Sequence, residues 1–238
     1  MALLRGCQLA YNGNIEGAIL HLAKALASFS VGRTLNQVAA VSLGVCYFVG
    51  GRLEDAQLLF EKNASIAEAK QNVLVPIPAI LGIARIHLLR GRLLAAKQVY
   101  ENALRECKEA GWQDFPACGV LHIGMGEIAY EMNDLTDAEQ HLIRGVEMTT
   151  VGMQYANAWG RVMLAQTKLA LGVTVDILDM QREVSLLKYS GRFVVDLPPL
   201  SASIARLCLS QGKLGLVRQW SGRGATPARW SAIGRTRV

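Results

Sequence analysis

A short pattern of residues recurs six times along this chain, and it constrains the fold more than any other feature of the sequence. In its fullest copy a small residue, Gly126, precedes a turn residue, Asn133, by seven positions. A Leu follows two positions after the turn residue, and an Ala three positions after that Leu. The turn residues are Gly13, Gly51, Gly91, Asn133, Gly172 and Gly212, at intervals of 38, 40, 42, 39 and 40 residues. Such a period is typical of stacked helical hairpins, in which no single unit buries its own apolar face.

The position seven residues before each turn residue provides a second test of the repeat, because it is small in every copy. Its occupants are Gly6, Gly44, Ala84, Gly126, Ala165 and Ala205. Two helices approach to about 8–10 Å only where one of them presents little side chain. The Ala after the turn gives the second helix a matching flat surface in the first four copies, whereas Ile177 and Val217 stand there in the last two.

We therefore predict an all-α fold, a right-handed α-solenoid of about six helical hairpins in residues 1–221, followed by a basic tail without fixed structure in residues 222–238. The first helices of the hairpins are predicted at about 1–12, 34–50, 77–90, 117–132, 154–171 and 199–211. The second helices are predicted at about 14–30, 52–71, 92–110, 134–151, 174–190 and 213–221. Asp134 is predicted to cap one second helix, and Gly111 to end another.

The net charge of +6 is unevenly distributed, and its distribution argues against a nucleic-acid-binding surface. Residues 197–238 contain seven Lys or Arg and no Asp or Glu, which leaves 18 positive against 19 negative charges in residues 1–196. A domain that binds duplex DNA presents a basic patch or stripe on one face. We therefore expect no direct DNA binding by this chain.

The cysteines and histidines form no pattern that is typical of a metal or catalytic site. The five cysteines include no C-x-x-C pair, and the four histidines include no i, i+4 pair. Free thiols buried in helices are typical of a reducing compartment. We therefore predict a cytoplasmic protein with no enzymatic activity, no cofactor and no metal. The uncharged run from Thr34 to Gly51 keeps the repeat spacing, so we interpret it as a buried solenoid helix and expect no membrane contact.

The repeating unit resembles the tetratricopeptide repeat (TPR), which has small residues at two helix-crossing positions and aromatic side chains such as Tyr47, Phe60, Tyr100 and Tyr130. More specifically, the chain resembles the repeat region of MalT-type regulators, which are large ATP-dependent bacterial transcription activators of the LuxR class. The residues that carry this resemblance are Pro116, His122, Gly126, Tyr130, Glu131, Asn133, Asp134, Leu135, Ala138, Glu139, His141, Leu142, the run from Arg206 to Leu214, and Trp220.

The resemblance implies a superhelical sensor that binds an inducer or a regulatory protein. In the family this sensor stands between a nucleotide-binding module and a helix-turn-helix. The present sequence contains no G-x-x-x-x-G-K-[ST] phosphate loop and no helix-turn-helix pattern after Trp220. We therefore expect a fragment of a longer regulator that itself neither hydrolyses ATP nor reads DNA. The alternative is a free-standing TPR adaptor for protein–protein interaction. An enzyme on a helical scaffold is a third class of function, and no motif in the sequence supports it.

One further repeat position, directly after each small residue, supplies the candidate ligand-binding residues. In TPR stacks this position faces the concave groove, and here it becomes polar from the third copy onward. The predicted ligand-binding residues on the concave face are Arg85, Glu127, Gln166 and Arg206, together with Tyr130. The four polar residues are predicted to form a ladder that Tyr130 and Trp159 flank. Polar groups flanked by aromatic faces suit a small polar inducer such as a sugar, or an extended peptide. The alternative is that Arg85 and Glu127 pair between neighbouring helices, and that the apolar residues near them belong to the core.

Overall fold

The computed structural model describes residues 1–28, 34–65, 75–176, 200–215 and 217–218. Within these ranges it contains ten α-helices and no strand, and residues 214, 215, 217 and 218 are also helical. The helices are α1 (Ala2–Tyr11), α2 (Ile15–Ser28), α3 (Thr34–Val49), α4 (Leu53–Glu61), α5 (Pro76–Leu89), α6 (Leu93–Glu109), α7 (Pro116–Glu131), α8 (Leu135–Met148), α9 (Gln154–Ala170) and α10 (Leu200–Ser210). The predicted all-α solenoid of helical hairpins is confirmed. The predicted tail, 222–238, and most of the predicted helix at 174–190 lie outside the described residues.

The same turn ends the first helix of every hairpin, and it uses the predicted turn residue each time. All six turn residues have a positive φ, from 61° at Asn133 to 81° at Gly172. In each turn the N–H of the turn residue donates to the carbonyl three residues before it. The N–H of the residue after the turn residue donates to the carbonyl five residues before itself. This is the Schellman arrangement, which satisfies carbonyls that a helix end leaves unpaired. The repeat period is therefore the spacing of these helix stops.

Local signals also determine several other helix ends. The Asp134 carboxylate accepts a hydrogen bond from the Asp137 N–H at 3.2 Å, which is the predicted cap of α8. Gly111 has a φ of 75° and ends α6 with the same two turn hydrogen bonds. Helices α5 and α7 both begin at a proline, where the missing N–H costs no helical hydrogen bond.

The second helix of hairpin 2 is shorter than the sequence predicted. The prediction extended it to residue 71, but α4 ends at Glu61 and residues 62–65 are turn and coil. The Asn63 side chain donates a hydrogen bond to the Leu59 carbonyl at 2.8 Å, and its N–H bonds to the Phe60 carbonyl at 2.9 Å. The Asn63 side chain thus occupies the carbonyl four residues back, which the Asn63 N–H would use in a continuing helix, so it competes with helical hydrogen bonding. The prediction missed this local competition.

The helices form two layers. In hairpins 1–4 each first helix contacts its own second helix, and every first helix contacts the first helix of the next hairpin, from α1 with α3 to α9 with α10. Second helices α2, α4, α6 and α8 instead each lie between two first helices. The first helices of successive hairpins therefore lie closer to one another than the second helices do. They form the inner layer, on which the candidate ligand-binding residues lie.

One large side chain from each second helix fills the space between the layers, nine residues after the turn. In hairpins 1–4 these residues are Leu22, Phe60, Tyr100 and Leu142, and none exposes any measurable surface. A Cβ added to Gly44 would lie 2.7 Å from the Phe60 ring, and one added to Gly82 of the next hairpin only 2.3 Å from it. Phe60 is therefore held between glycines of two hairpins. Tyr100 meets Gly124 of the next hairpin in the same way, at 2.4 Å.

The predicted small positions are sites of close approach within hairpins. A Cβ at Gly6 would lie 2.7 Å from Leu22, and one at Gly126 would lie 2.5 Å from Leu142 and 3.1 Å from the Ala138 carbonyl. Ala84 is completely buried at the corresponding position of hairpin 3. The distances from such an added Cβ are far shorter than an ordinary van der Waals contact. A larger side chain at these positions therefore requires the helices to move apart.

Replacing Gly126 with Ala should therefore destabilise the protein, although Ala favours helix more than Gly does. We expect a loss of about 1–3 kcal/mol in the free energy of unfolding, because the Ala138 carbonyl that the new methyl group meets belongs to the backbone. Gly215→Ala is the matched control, since nothing lies within 4 Å of a Cβ there. Urea denaturation of both variants measures the difference. Equal stabilities would contradict the helix crossing described at Gly126.

The left-handed turn at Asn133 offers a second test. Asn133 has a φ of 61°, the only non-glycine residue with a positive φ in the described ranges. Asn tolerates this conformation, whereas Ala pays about 1–2 kcal/mol for it. We expect Asn133→Ala to lower the free energy of unfolding by about this amount, and Asn133→Gly to leave it unchanged or raise it. If both variants lost the same stability, the side chain of Asn133 rather than its backbone conformation would be what matters.

Candidate functional site

The structure brings two of the five predicted ligand-binding residues into direct contact. Arg85 lies on α5 and Glu127 on α7, at the same repeat position in successive hairpins. The Arg85 Nη1 donates a hydrogen bond to the Glu127 Oε1 at 2.8 Å. Their side chains are only 11% and 9% exposed. The pair is therefore a buried link between hairpins 3 and 4, as the alternative interpretation of the sequence proposed.

A third hairpin joins the pair through Trp159 of α9. The Arg85 guanidinium carbon lies 5.2 Å from the centre of the Trp159 ring, within cation–π range. Trp159 is 1% exposed and belongs to the main hydrophobic cluster of the solenoid. One side chain, Arg85, thus contacts groups from both hairpin 4 and hairpin 5. In a solenoid most contacts join neighbouring repeats only.

The surroundings of the pair contain polar atoms with unused hydrogen-bonding capacity. The Glu127 Oε2, the Trp159 Nε1 and the Tyr100 hydroxyl are buried, and none has a hydrogen-bond partner among the described residues. Burial raises the pKa of the Glu127 carboxyl, against the opposing charge and hydrogen bond of Arg85. Burial also raises the pKa of the Tyr100 hydroxyl, so this hydroxyl keeps its proton. The site therefore offers an acceptor at the Glu127 Oε2 and a donor at the Trp159 Nε1. The Tyr100 hydroxyl can donate or accept.

The other three predicted residues are more accessible to solvent. Tyr130 is half-buried and packs against the main hydrophobic cluster. Gln166 is half-buried on α9, and Arg206 is exposed on α10. Gln166 and Arg206 continue the repeat position of the buried pair, and Tyr130 lies on α7 three residues after Glu127. The binding role of all three residues stays a prediction.

Sequence reasoning placed Trp159 beside the polar residues of the concave face, and the structure puts its ring 5.2 Å from the Arg85 guanidinium carbon. It noticed Tyr100 only as an aromatic residue of the repeat and did not place it around Arg85. Tyr100 lies nine residues after its turn, and this filler position was itself a detectable signal, because it is large and apolar in hairpins 1–4. Trp159 is 74 residues from Arg85, and the two meet only because α5, α7 and α9 stack side by side. The shared face of the repeat indicated that proximity, and the stacking of successive first helices produces it.

Other kinds of site find no support in the described part of the chain. No group of three or more His, Cys, Asp or Glu residues is arranged there to hold a metal ion. All five cysteines are free. None of the helices that the structure describes is long and apolar enough to cross a membrane.

The comparisons with known proteins agree with this architecture. The family model of the MalT-like TPR region matches residues 1–229. BtubC from P. vanneervenii has a similar structure, with a TM-score of 0.54 at 14% identity over 94% of each chain. A Podosopora anserina protein of nearly identical TPR-like repeats gives a TM-score of 0.52 at 12% identity, over 89% of this chain and 95% of that one. No curated protein matches the chain.

The match over nearly the whole length defines the class of protein: a TPR-like helical repeat. Within that class the chain belongs to the MalT-like TPR family. The similar structures show the fold alone, since their identities are low. The predicted resemblance to the repeat region of MalT-type regulators is therefore confirmed.

The buried ion pair leads to a stability prediction. Replacing Glu127 with Ala leaves the Arg85 guanidinium buried without its counter-charge, and we expect a loss of about 3–5 kcal/mol. Replacing both residues, as Arg85→Met with Glu127→Leu, removes the charges together and should recover most of this loss. Urea denaturation of the single and double variants measures the coupling.

A surface pair provides the matched control. Arg52 and Asp55 pair at 2.6 Å with side chains 51% and 49% exposed, so Asp55→Ala should cost about 1 kcal/mol or less. If Glu127→Ala cost no more than Asp55→Ala, the Arg85–Glu127 pair would be open to water in solution, and the account of its burial would be wrong.

Proposed function

We propose that this chain is the sensor region of a MalT-type, LuxR-class transcription regulator from a bacterial cytoplasm. In this proposal residues 1–221 form the sensor and residues 222–238 a basic tail. The sensor binds a small polar inducer or a regulatory protein on the inner layer of first helices. It catalyses no reaction, needs no cofactor, and contacts neither DNA nor membrane. Its membership of the MalT-like TPR family is the starting point of the proposal.

The observation that carries the proposal is the set of three unpaired polar atoms around the Arg85–Glu127 pair. An unpaired buried polar atom costs about 1–3 kcal/mol. A ligand hydroxyl can donate to the Glu127 Oε2 and accept from the Trp159 Nε1, so a polar ligand would remove part of this cost. An ordered water molecule is the competing occupant, because water offers the same donors and acceptors.

The burial of these atoms suggests how ligand binding would change the solenoid. Each of the three atoms is almost completely shielded from solvent. A ligand can therefore reach them only if hairpins 3, 4 and 5 separate. Binding would then favour a more open spacing of these hairpins over the closed one. A change in solenoid spacing is a signal that a neighbouring domain can detect, whereas a rigid scaffold would give no such signal.

The more accessible residues would form the entrance to this site. Gln166 and Arg206 belong to the next two first helices on the inner layer, and Tyr130 lies on α7 together with Glu127. An amide, a guanidinium and an aromatic ring provide hydrogen bonds and contact area for a polar ligand. They can be replaced with a smaller risk to folding than the buried pair, which makes them the better residues for a binding test.

A free-standing protein-interaction adaptor is the second candidate function, and a different surface favours it. Tyr11, Val49 and Leu89 occupy the position two residues before the turn in hairpins 1–3. They are 40%, 39% and 48% exposed. A row of exposed apolar side chains is typical of a protein-binding surface. The two functions also differ in the flanking coding sequence, where a sensor requires an ATPase module and a helix-turn-helix.

Calorimetric titration distinguishes the two candidates. We propose titrating a panel of neutral and acidic oligosaccharides, and a panel of apolar peptides, into the parent protein. If the inner polar residues form the ligand entrance, Gln166→Ala or Arg206→Ala should weaken oligosaccharide binding by about 1 kcal/mol, roughly a fivefold change. Arg105→Ala is the control, because Arg105 is an Arg on second helix α6 that bonds to Asn102.

The titration results distinguish the two candidate functions as follows. Unchanged affinity in both the Gln166 and Arg206 variants, for a ligand that does bind, would place the site elsewhere. Binding of peptides alone, lost in Leu89→Ser but kept in Gln166→Ala, would favour the adaptor. Binding of a polar ligand that also changes the radius of gyration in solution would support the sensor with its opening hairpins.

A further inference from the structure

The two helices of hairpin 4 are joined by a direct contact between histidine rings. His122 lies on α7 and His141 on α8. Their Nδ1 atoms are 2.9 Å apart, a hydrogen-bond distance. The ring centres are 5.2 Å apart and the rings are tilted by 32°. Both side chains are half-buried, so the contact is part of the interface between α7 and α8.

This contact requires a particular distribution of protons. A hydrogen bond between two Nδ1 atoms forms only if one atom carries a proton and the other presents its lone pair. One ring is therefore protonated at Nδ1, and the other, when neutral, at Nε2. If both Nδ1 atoms carry protons, two N–H groups point at each other and the hydrogen bond is lost. The contact can thus exist in some protonation states and not in others.

The charged groups around the two rings make them unequal. The Asp137 carboxylate, on α8, lies 3.7 Å from the His141 Nε2 and favours a positive charge on that ring. Lys97 of α6 acts on His141 in the opposite direction. Arg144 of α8, which binds Asp114, disfavours a positive charge on His122. His122 has no carboxylate among the groups that act on it in the described part of the chain.

We propose that His122 and His141 form a proton-operated latch, which holds α8 against α7 while His122 is neutral and releases it when both rings are protonated. When the pair holds one extra proton, His141 next to Asp137 is the charged ring, and its Nδ1–H is bonded to the lone pair of the His122 Nδ1. The second proton can bind only at the Nδ1 of His122, where it replaces the lone pair. The hydrogen bond is then broken, and two imidazolium rings repel each other across the interface.

The direction of the pKa shifts agrees with this order of protonation. Burial, the neighbouring His141 and Arg144 lower the pKa of His122 from 6.5 to about 4. Burial also lowers the pKa of His141, while Asp137 opposes that shift. A histidine whose pKa is lower in the folded state stabilises the fold above its unfolded pKa, and this contribution is lost as the pH falls through the folded value. The latch therefore weakens between about pH 6.5 and pH 4.

Nitrogen-15 NMR of the histidine rings in the full chain tests the proton distribution without any substitution. At pH 7.5 we expect one of the two rings to be protonated at Nδ1 and the other at Nε2, with a coupling across the hydrogen bond. As the pH falls, the ring next to Asp137 should titrate before its partner. Two rings that are both protonated at Nε2 at pH 7.5 would overturn the proposal.

Urea denaturation at several pH values tests the latch itself. His122→Gln keeps an amide that can bond to His141 but cannot be protonated in this range. Between pH 7 and pH 4.5 the folding equilibrium constant of the parent should fall about 50-fold more than that of His122→Gln, from the change of the His122 pKa. His21→Gln, in hairpin 1, is the control and should follow the parent. A His122→Gln protein with the same pH dependence as the parent would overturn the proposal.

Discussion

The solenoid depends on one repeated contact, the insertion of a large side chain from each second helix of hairpins 1–4 between two first helices. Phe60 shows it most clearly, because its ring touches Gly44 of its own hairpin and Gly82 of the next. The contact fixes the distance within a hairpin and the distance between hairpins at the same time. Without it the first helices would not approach one another, and residues 42 positions apart, such as Arg85 and Glu127, would not meet.

The inner layer built in this way contains a buried ion pair, which costs desolvation free energy and also restricts how the helices can shift. Burying the Arg85–Glu127 pair requires removing two charges from water, and an apolar pair of similar volume would stabilise the fold as well or better. The pair does, however, accept few alternative arrangements, since a shift of either helix would leave a charge buried alone. Its contact with Trp159 extends this constraint to a third hairpin. The middle of the solenoid is therefore held in one register by a buried polar contact in addition to its apolar core. The polar contacts between hairpins 2 and 3, from Arg90 to Gln57 and Glu54, lie closer to solvent.

The sequence was most informative where structure depends on neighbouring residues. The six turns could be predicted because Gly or Asn at a helix stop acts locally, and the small positions because every hairpin needs a close crossing. The sequence also suggested the Arg85–Glu127 pair, as one of two possibilities. It did not reveal the end of α4, which depends on the Asn63 side chain. Nor did it reveal that His122 and His141 meet, because the turn between α7 and α8 fixes the hairpin but not which side chains face each other.

The large side chains between the layers, and the residues of the next hairpin that they contact, differ from one hairpin interface to the next. Gly82 receives Phe60 and Gly124 receives Tyr100, whereas Ser42 and Met163 occupy the same repeat position in hairpins 2 and 5. A ring that fits over glycine would collide with a methionine, and a leucine placed over glycine would leave a void. In this chain an exchange of hairpins would join mismatched surfaces, so the order of the repeats is protected by the size of a few buried side chains.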